Sequence, residues 1–436
     1  MSTFINILLA LLILSLIIVF HEFGHFVFAR INGVAVDEFS LGMGPKLLSK
    51  KFGSTVYSLK LFPIGGSCMM KGENGDAADE KGAEDSFNSK NVWQRLSIVL
   101  AGPVFNFILS FILALFIIGM AGYDPAEVTY ITEDGASEAA GLQEGDIITE
   151  INGKNIVIGR DIYNYLYFNT LDEKDVKLTV ERDGKEMEIT VTPEPVTHYY
   201  MGISYYNNPG VAEITVMDDY PAQEAGLRNG DVITSINGVS IKTGEDMGQY
   251  FQDHPLDGSE ITLTYTRNDK SHELSFTPIW STTYAMGFGY NMGREKTDIA
   301  GVVRYSFTEV RYWMTTTVHS LFYMVTGHVK SEDMGGAVRI VSEMSDTVEA
   351  SKPDGAKYVF LNLVYWAILI SANLGVMNLL PIPALDGGRI FFMIIEIIRG
   401  KPIPPEKEAM VHFIGFILLM ILMVLILYND IRNVFF

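Results

Sequence analysis

The chain has 436 residues, of which 48% are hydrophobic and only 19% are charged, and its formal net charge is −20. A charged fraction below about 25% is low for a soluble protein. An acidic chain also excludes nucleic acid as a partner, because phosphate binding needs clustered Lys and Arg. The single cysteine, Cys68, excludes an internal disulfide framework and a zinc site built from cysteines alone.

The charge is unevenly distributed along the chain. Residues 122–300 contain 31 acidic and 12 basic residues, so this block holds −19 of the net charge of −20. The flanks are apolar, and four of their stretches are long enough for the roughly 20 helical residues that cross a bilayer. These predicted spans cover residues 4–29, 96–120, 358–380 and 410–428. We therefore expect an acidic, water-exposed block between membrane helices.

A fifth apolar stretch, residues 299–329, is interrupted by ionisable side chains that are costly in lipid. Those side chains are Arg304, Glu309, Arg311 and His319. This pattern predicts an amphipathic helix that lies at the membrane surface or against the bundle.

The positions of Lys and Arg predict the orientation in the membrane. Basic residues follow the first and third spans, and none precedes the first. They are Arg30, Lys46, Lys50, Lys51 and Lys60 in one loop, and Arg389, Arg399, Lys401 and Lys407 in the other. Both loops should be cytoplasmic, which places the acidic block and both termini on the outer side.

The acidic block contains two copies of one pattern, 85 residues apart. Residues 139–154 read AAGLQEGDIITEINGK and residues 224–239 read EAGLRNGDVITSINGV. Each copy predicts a short helix that ends at Gly, a Gly-Asp turn, an alternating strand and an Asn-Gly hairpin turn. The pattern resembles PDZ domains of the bacterial type, which bind extended peptides at a sheet edge. The alternative is a pair of inert β-rich spacers.

The strongest chemical motif lies at the end of the first span, where His21, Glu22 and His25 form H-E-x-x-H. Residues four apart share a helix face, so both imidazoles can reach one Zn²⁺, and Glu22 lies beside it to accept a proton from water. The motif also occurs by chance. However, three ionisable side chains at the cytoplasmic end of a span are expensive unless they serve a site.

Catalytic zinc usually has three protein ligands, so a third is expected elsewhere in the chain. The candidate is Asp386, which follows the third span after Pro381 and Pro383 break the helix. Asn373 and Asn378 add amide groups suited to hydrogen-bonding an extended peptide or an oxyanion. The alternative for these asparagines is hydrogen bonding between helices.

Together these motifs resemble the site-2 protease family of intramembrane zinc metalloproteases. The resemblance is carried by H-E-F-G-H at 21–25, by N-x-x-P-x-P-x-L-D-G-G at 378–388, and by A-G-P-V-F-N at 101–106. The two PDZ-like copies make the chain most similar to the regulator of sigma-E protease type. The resemblance implies that His21, His25 and Asp386 bind Zn²⁺ and that Glu22 is the general base.

The resemblance also implies that F-P-I-G-G at 62–66, with Gly65 and Gly66, belongs to a membrane-associated β-hairpin. The edge of that hairpin would present the substrate as an extended strand. Unwinding is needed because the hydrogen bonds of a helix shield its peptide bonds, and an edge strand offers replacement partners.

The implied activity is zinc-dependent endopeptidase cleavage in or near the transmembrane segment of single-span proteins. Anti-sigma factors or remnant signal peptides are the implied substrates, usually after a first cut by another protease. The PDZ pair would filter substrates by size or read new C-termini. The implied location is the bacterial inner membrane, with the lipid bilayer as the other partner. Two alternatives are a non-catalytic PDZ scaffold and a metal transporter.

The expected fold is an α-helical polytopic membrane protein with four spans and a membrane-associated β-hairpin, plus two α+β PDZ domains. The expected domains are an N-terminal membrane part at 1–121, PDZ domains at 122–197 and 198–282, an amphipathic helical linker at 283–357, and a C-terminal membrane part at 358–436.

Overall fold

A computed structural model describes residues 2–73, 83–205, 210–217, 219–328 and 335–435 of the chain. The chain divides into two compact units. The membrane unit comprises residues 1–125 and 292–436, and the acidic unit comprises residues 126–291.

Helices dominate the membrane unit, and short helices occur in the acidic unit. In chain order they are α1 (Ser2–Ile31), α2 (Val92–Ala121), α3 (Ala136–Ala139), α4 (Gly159–Phe168), α5 (Pro221–Glu224), α6 (Gly244–Asp253), α7 (Ile299–Val325), α8 (Ala337–Ser351), α9 (Ala356–Leu379), α10 (Asp386–Arg399) and α11 (Pro405–Phe435). Short 3-10 turns cover Phe87–Ser89 and Lys352–Asp354.

Two long strands lie in the membrane unit and the others in the acidic unit. They are β1 (Val36–Phe52), β2 (Thr55–Met70), β3 (Val128–Ile131), β4 (Ile147–Ile151), β5 (Lys154–Asn155), β6 (Val176–Arg182), β7 (Lys185–Val191), β8 (Glu194–Tyr200), β9 (Ile203–Tyr205), β10 (Ile214–Val216), β11 (Val232–Ile236), β12 (Val239–Ser240), β13 (Ile261–Arg267), β14 (Lys270–Phe276), β15 (Ile279–Ala285) and β16 (Phe288–Tyr290).

The prediction of four membrane-spanning helices is confirmed by length and composition. In the described part of the chain, the helices that can cross a bilayer contain Ile5–Ile31, Val92–Ala121, Ala356–Leu379 and Lys407–Asp430. The stretch predicted as an amphipathic helix over 299–329 forms α7, which packs against α2 and α9. Its predicted end at Val329 lies outside the described residues.

Glycines let the membrane helices approach closely. A Cβ on Gly24 of α1 would overlap the carbonyl oxygen of Ala101 in α2, and a Cβ on Gly375 of α9 would overlap the ring of Phe107. Small residues serve this purpose in membrane bundles because lipid offers no hydrophobic force between helices. The close contact of α1, α2 and α9 brings the ends of distant chain segments together.

Strands β1 and β2 form one antiparallel sheet, and each strand bends so that it contributes two paired segments. Residues 36–41 pair with 66–70 on one side and with 56–59 on the other, and residues 46–52 pair with 55–60. The sheet therefore has four segments. In the described part of the chain, segment 66–70 is paired on one side only, and we call it the edge segment.

The acidic unit holds two similar four-stranded sheets, ordered β5-β4-β6-β7 and β12-β11-β13-β14. We call the domain around the first sheet the first repeat domain and the other the second repeat domain. Each has its own apolar core. The fully buried residues of these cores include Ile148 and Leu178 in the first domain and Ile233 and Leu263 in the second.

The duplicated Gly-Asp motif folds identically in both domains. Asp146 and Asp231 are 1% exposed. Each aspartate receives two hydrogen bonds of 2.6–2.7 Å from an arginine, Arg182 in the first domain and Arg267 in the second. The same arginine also donates to the carbonyl of the Gly that ends the preceding short helix, at 2.8 Å. The motif therefore joins the helix end, the turn and the third strand of each sheet.

The two repeat domains exchange strands. Strand β9 follows the first sheet in sequence, but it pairs with β10 of the second repeat domain, and β16 pairs with β3 of the first. Met201 accordingly lies in the second core and Met286, 85 residues later, in the first. Strands β8 and β15 form an antiparallel ribbon in which Thr197 faces its equivalent Thr282.

This exchange changes the predicted domain limits. Residues 283–291 were predicted to begin the helical linker, but they complete the first repeat domain through β16. The second repeat domain is thus inserted within the first. The predicted limits are wrong at these positions because sequence repeats were treated as self-contained, whereas the ribbon of β8 and β15 carries each chain segment into the other domain.

Candidate metal centre

Helix α1 supplies two imidazoles to the same point. His21 and His25 are one helical turn apart, and both are buried, with 6% and 7% of their surface exposed. Their Nε2 atoms lie 3.2 Å from each other. Residues i and i+4 share a helix face, so the H-E-x-x-H spacing produces this convergence directly.

Asp386 reaches the same point because α9 ends sharply. Helix α9 stops at Leu379, and after a short loop Asp386 begins α10. The loop turns tightly: Cβ atoms on Gly387 and Gly388 would overlap backbone atoms of residues 380 and 382. Ala384 adopts a left-handed conformation with φ +77°. The two prolines and the two glycines of the motif thus shape the turn that presents the carboxylate.

The last membrane helix holds this loop in place. The N–H of Ala384 donates a hydrogen bond of 2.9 Å to Nδ1 of His412 in α11. One turn further along, Gly415 approaches the loop so closely that a Cβ there would overlap Pro383. The position of Asp386 therefore depends on α11 as well as on its own motif.

Three ligand atoms converge at the centre. Oδ2 of Asp386 lies 3.1 Å from Nε2 of His21 and 3.3 Å from Nε2 of His25. This oxygen is buried and, among the described residues, no donor is aligned with it for a hydrogen bond. The three side chains form the one group of His, Cys, Asp and Glu in the described residues that could hold a metal ion.

The spacing and donor types fit zinc. Zinc ligands at about 2.0–2.1 Å in a tetrahedral arrangement lie roughly 3.3 Å from each other, close to the three separations observed. His25 Nδ1 lies 2.9 Å from the carbonyl oxygen of Ile98. When Nδ1 is protonated it donates to this carbonyl and leaves the lone pair of Nε2 free for a metal. Histidines that bind zinc usually donate their other ring N–H to an acceptor in this way. Three protein ligands, two imidazole nitrogens and the carboxylate oxygen of Asp386, together with an open fourth position, are typical of a catalytic zinc site.

Helix α2 forms the wall of the centre. A Cβ on Gly102 would overlap the imidazole of His25 and meet Cε1 of His21 at 2.7 Å. No side chain other than hydrogen leaves room for both histidines at this position. The A-G-P-V-F-N motif at 101–106 had no predicted residue roles. The packing of α2 against α1 shows that its glycine, Gly102, makes room for the two imidazoles.

Glu22 lies between the histidines and the sheet. The backbone N–H of Cys68 in the edge segment donates a hydrogen bond to its carboxylate, which lies within electrostatic range of His21, His25 and Asp386. The predicted residue Gly66 is also adjacent, because a Cβ there would be 3.3 Å from Cγ of Glu22. The predicted Gly65, at φ +88°, makes the bend that leads into the edge segment.

The predicted substrate residues after the third span are placed differently from one another. Asn373 accepts a hydrogen bond from the Thr317 hydroxyl of α7, the helix-to-helix contact that was the alternative interpretation. Asn378 is half-buried in the last turn of α9. Pro381 is exposed and Pro383 is half-buried in the loop before Asp386. Pro381 and Pro383 thus lie in the loop that leads to Asp386, whereas the hydrogen bond of Asn373 is with α7.

Two further residues at the centre were not assigned by sequence reasoning. Asn106 contacts His21, and His412 holds the loop of Asp386. The A-G-P-V-F-N motif was a signal for Asn106. His412 carried no sequence signal beyond being a histidine within an apolar span, where ionisable residues are uncommon.

Comparison with known proteins agrees with this centre. Residues 9–422 match the model of peptidase family M50. A zinc metalloprotease RasP of Oceanobacillus iheyensis is 27% identical over 98% of both chains. A putative zinc metalloprotease of Clostridium acetobutylicum is 31% identical, again over 98% of both chains. The regulator of sigma-W protease RasP of Bacillus subtilis is 28% identical over 99% of this chain and 100% of that protein. The chain therefore belongs to peptidase family M50, the site-2 proteases, and is a membrane-bound zinc metalloprotease.

Proposed function

We propose that this protein cuts single-span membrane proteins within or near their transmembrane segment, with His21, His25 and Asp386 as zinc ligands and Glu22 as general base. One observation carries the proposal. Three ligand atoms converge at the end of a membrane-spanning helix, and Glu22 lies between them and a free sheet edge.

Each residue has a defined task in this mechanism. Zinc held by His21, His25 and Asp386 would supply Lewis acidity, which would lower the pKa of a bound water and polarise the scissile carbonyl. A carboxylate oxygen of Glu22 accepts one proton from the attacking water. The same oxygen then delivers that proton to the amine nitrogen as the peptide bond breaks. Asp386 and the two histidines remain ligands throughout.

The edge segment gives the substrate a place to unwind. Residues 66–70 pair with 36–41 on one side only within the described chain, and the N–H of Cys68 points outward to Glu22. A substrate strand added here gains backbone hydrogen bonds in place of its helical ones. Gly65 and Gly66 keep this edge free of bulky side chains. Asn378, Pro381 and Pro383 would line the other side, and Asn373 would support them from α9.

The sheet itself carries features of a membrane-associated element. Leu47, Leu48, Phe52 and Phe62 are more than half exposed, although they lie in strands. Such large exposed apolar surface is rare on soluble domains. Glu38 is nearly buried among basic side chains. Burial alone raises its pKa, but hydrogen bonds from Lys46, Ser58 and Lys60 outweigh this and lower the pKa to about 2. The sheet therefore combines a nearly buried carboxylate that is paired with two lysines and a set of exposed apolar side chains.

We place the protein in the bacterial cytoplasmic membrane, with the metal centre near the cytoplasmic side and the acidic unit outside. The basic residues support this orientation, because Arg30 lies in the last turn of α1, soon after His25, and Arg399 ends α10, the helix that begins at Asp386. A cysteine at the exposed Asn155, in a Cys68→Ser background, should react with an impermeant maleimide in intact cells. Protection of that cysteine until the membrane is opened would contradict the orientation.

For substrates, we propose anti-sigma factors or remnant signal peptides. A relative that is matched over 99% of this chain and 100% of its own length is named as a regulator of sigma-W protease. We further propose that the repeat domains are PDZ domains that filter substrates by size or bind new C-termini. A cavity of about 420 Å³ supports this; it lies beside β9, whose second edge is unpaired in the described chain. Its apolar lining includes Ile203, Phe251 and Trp280.

The filter can be tested by deletion of 126–291. Tyr123 and Glu295 exchange backbone hydrogen bonds of 2.7 and 2.9 Å, so this deletion joins two segments that are already paired. The deleted protein should cut full-length substrates that the intact protein cuts only after trimming. A deleted protein that holds zinc and still requires trimming would contradict the filter.

The mechanism is tested by Glu22→Gln in the purified full-length protein. The variant should retain zinc, because Gln keeps the shape of the side chain and no ligand is changed. Cleavage of a model transmembrane substrate should fall by at least about a hundredfold, the usual scale for loss of a general base. Cleavage at the wild-type rate with normal zinc content would contradict the role of Glu22.

A further inference from the structure

We propose that Asn106 is a positioning residue that selects the tautomer of His21 required for zinc binding. The proposal rests on the metal role of His21 proposed above and adds a residue outside the ligand set. It concerns the side-chain amide of Asn106, which lies in α2 behind the first histidine.

Asn106 is fixed at the centre of the helix bundle. Its surface is completely buried, and its Nδ2 lies 3.1 Å from Nδ1 of His21. Its backbone carbonyl accepts hydrogen bonds from the hydroxyls of Ser110, at 3.0 Å, and Ser371 of α9, at 2.8 Å. The residue is therefore held by two helices while its side chain faces the imidazole.

The hydrogen bonding of the Asn106 amide indicates which way the amide faces. The amide oxygen is buried and has no hydrogen-bond partner among the described residues. An amide N–H that faces Nδ1 of His21 can only donate to it, which requires the imidazole proton to be on Nε2. Nε2 is the atom that faces His25 and Asp386, and a proton there blocks a metal. The orientation with Nδ2 towards Nδ1 is therefore incompatible with a metal bound at Nε2.

A half-turn of the amide resolves both problems at once. The oxygen and nitrogen of an amide are nearly equal in size, so exchanging them leaves the shape of the side chain unchanged. Oδ1 would then accept the proton of Nδ1, and the lone pair of Nε2 would be free for zinc. Metal-bound histidines usually donate their other N–H in this way.

The tautomer of His25 does not depend on a side-chain amide. Nδ1 of His25 faces the carbonyl oxygen of Ile98, which can only accept a hydrogen bond, so its tautomer is set in every state. His21 instead faces a group that can either donate or accept. We infer that zinc binding is coupled to the orientation of the Asn106 amide, whereas the backbone of α2 alone prepares His25.

Zinc affinity of the full-length protein in detergent, measured by competition with a chromophoric chelator, tests the proposal without reference to activity. Asn106→Leu removes the acceptor at similar volume and should weaken zinc binding by about 10- to 100-fold, the usual effect of losing such a partner. Asn106→Asp keeps an acceptor oxygen and should bind zinc within a few-fold of wild type. Ser110→Ala removes a hydroxyl that donates to the backbone carbonyls of Asn106 and Ile368 but leaves the Asn106 amide in place, and it should match wild type.

Asn106→Ala removes the amide without adding bulk, and it replaces Asn106→Leu if that variant does not fold. Wild-type affinity in the folded Leu or Ala variant would overturn the proposal. So would an equal loss in Asn106→Asp, because that variant keeps an acceptor oxygen at the same position. An affinity that does not fall in Asp386→Ala would instead contradict the proposed ligand set, which distinguishes the two failures.

Discussion

The membrane unit and the acidic unit both bring distant chain segments together, but they tolerate change differently. In the membrane unit, one metal centre depends on Gly24, Gly102 and Gly388, each of which touches a neighbour so closely that a methyl group does not fit. In the acidic unit, two equivalent networks stand side by side, Asp146 with Arg182 and Asp231 with Arg267. The membrane unit thus has a single metal centre, whereas the acidic unit has two copies of the same structural network.

The largest loss of zinc is expected from a substitution at Gly102, which packs directly against the metal centre. Gly102→Ala places a methyl group against the imidazoles of both histidines and should abolish zinc binding. Gly119→Ala is the matched control, because it lies in the same helix and its Cβ would meet nothing within 4 Å. Zinc content measured after identical purification compares them. A Gly102→Ala protein with full zinc would show that α2 does not shape the centre.

A smaller effect is expected from the buried charge networks of the acidic unit. Arg267→Met leaves the 1% exposed carboxylate of Asp231 without its arginine, and breaking a buried pair costs about 3–5 kcal/mol in the free energy of unfolding. Hydrogen exchange should show opening of the second repeat domain while zinc content is unchanged. Lys270→Met, at an exposed position of the neighbouring strand, is the control. Loss of zinc in Arg267→Met would show that the two units are not independent.

The smallest losses of stability are expected at two equivalent glycines, one in each repeat domain. Gly202 and Gly287 are equivalent positions with φ +81° and +75°. Gly287→Ala should lower the free energy of unfolding by about 1–2 kcal/mol, the usual cost of a left-handed alanine. Its Cβ would make only ordinary contacts with Thr132, whereas a Cβ on Gly202 would overlap Tyr220. Gly202→Ala should therefore destabilise more, as read from hydrogen exchange in each core. Equal losses would contradict the packing difference.

The sequence was most informative where local geometry carries the chemistry. The i, i+4 spacing of His21 and His25 follows from helix geometry, and the proline and glycine motif before Asp386 predicts a break that presents a carboxylate. The roles of Gly102 and His412 could not be predicted in this way. Both depend on how closely α2 and α11 approach the ligands, and a hydrophobic pattern predicts a span without predicting which of its faces touches a neighbour.

In the acidic unit, the sequence predicted the local turns but not the pairing of strands between the two repeats. The repeat period of 85 residues correctly predicted two similar β-rich domains, and the Gly-Asp and Asn-Gly turns occur where expected. The place of β9 in the second domain agrees with the predicted limit at 198, but the place of β16 in the first domain was missed, because equal repeats predict equal, self-contained domains. The register of the ribbon decides otherwise: Thr197 pairs with Thr282, and this antiparallel pairing sends each following strand into the other domain.

We propose that His21 and His25 of α1 and Asp386, which lies far along the chain at the start of α10, hold one zinc ion. The most direct test is the zinc content of the full-length Asp386→Ala protein, measured beside wild type and Asp354→Ala, an exposed aspartate that precedes α9. We predict about one zinc per chain in wild type and in Asp354→Ala, and a large loss in Asp386→Ala, together with its proteolytic activity. Zinc content near one per chain in a folded Asp386→Ala protein would contradict the account.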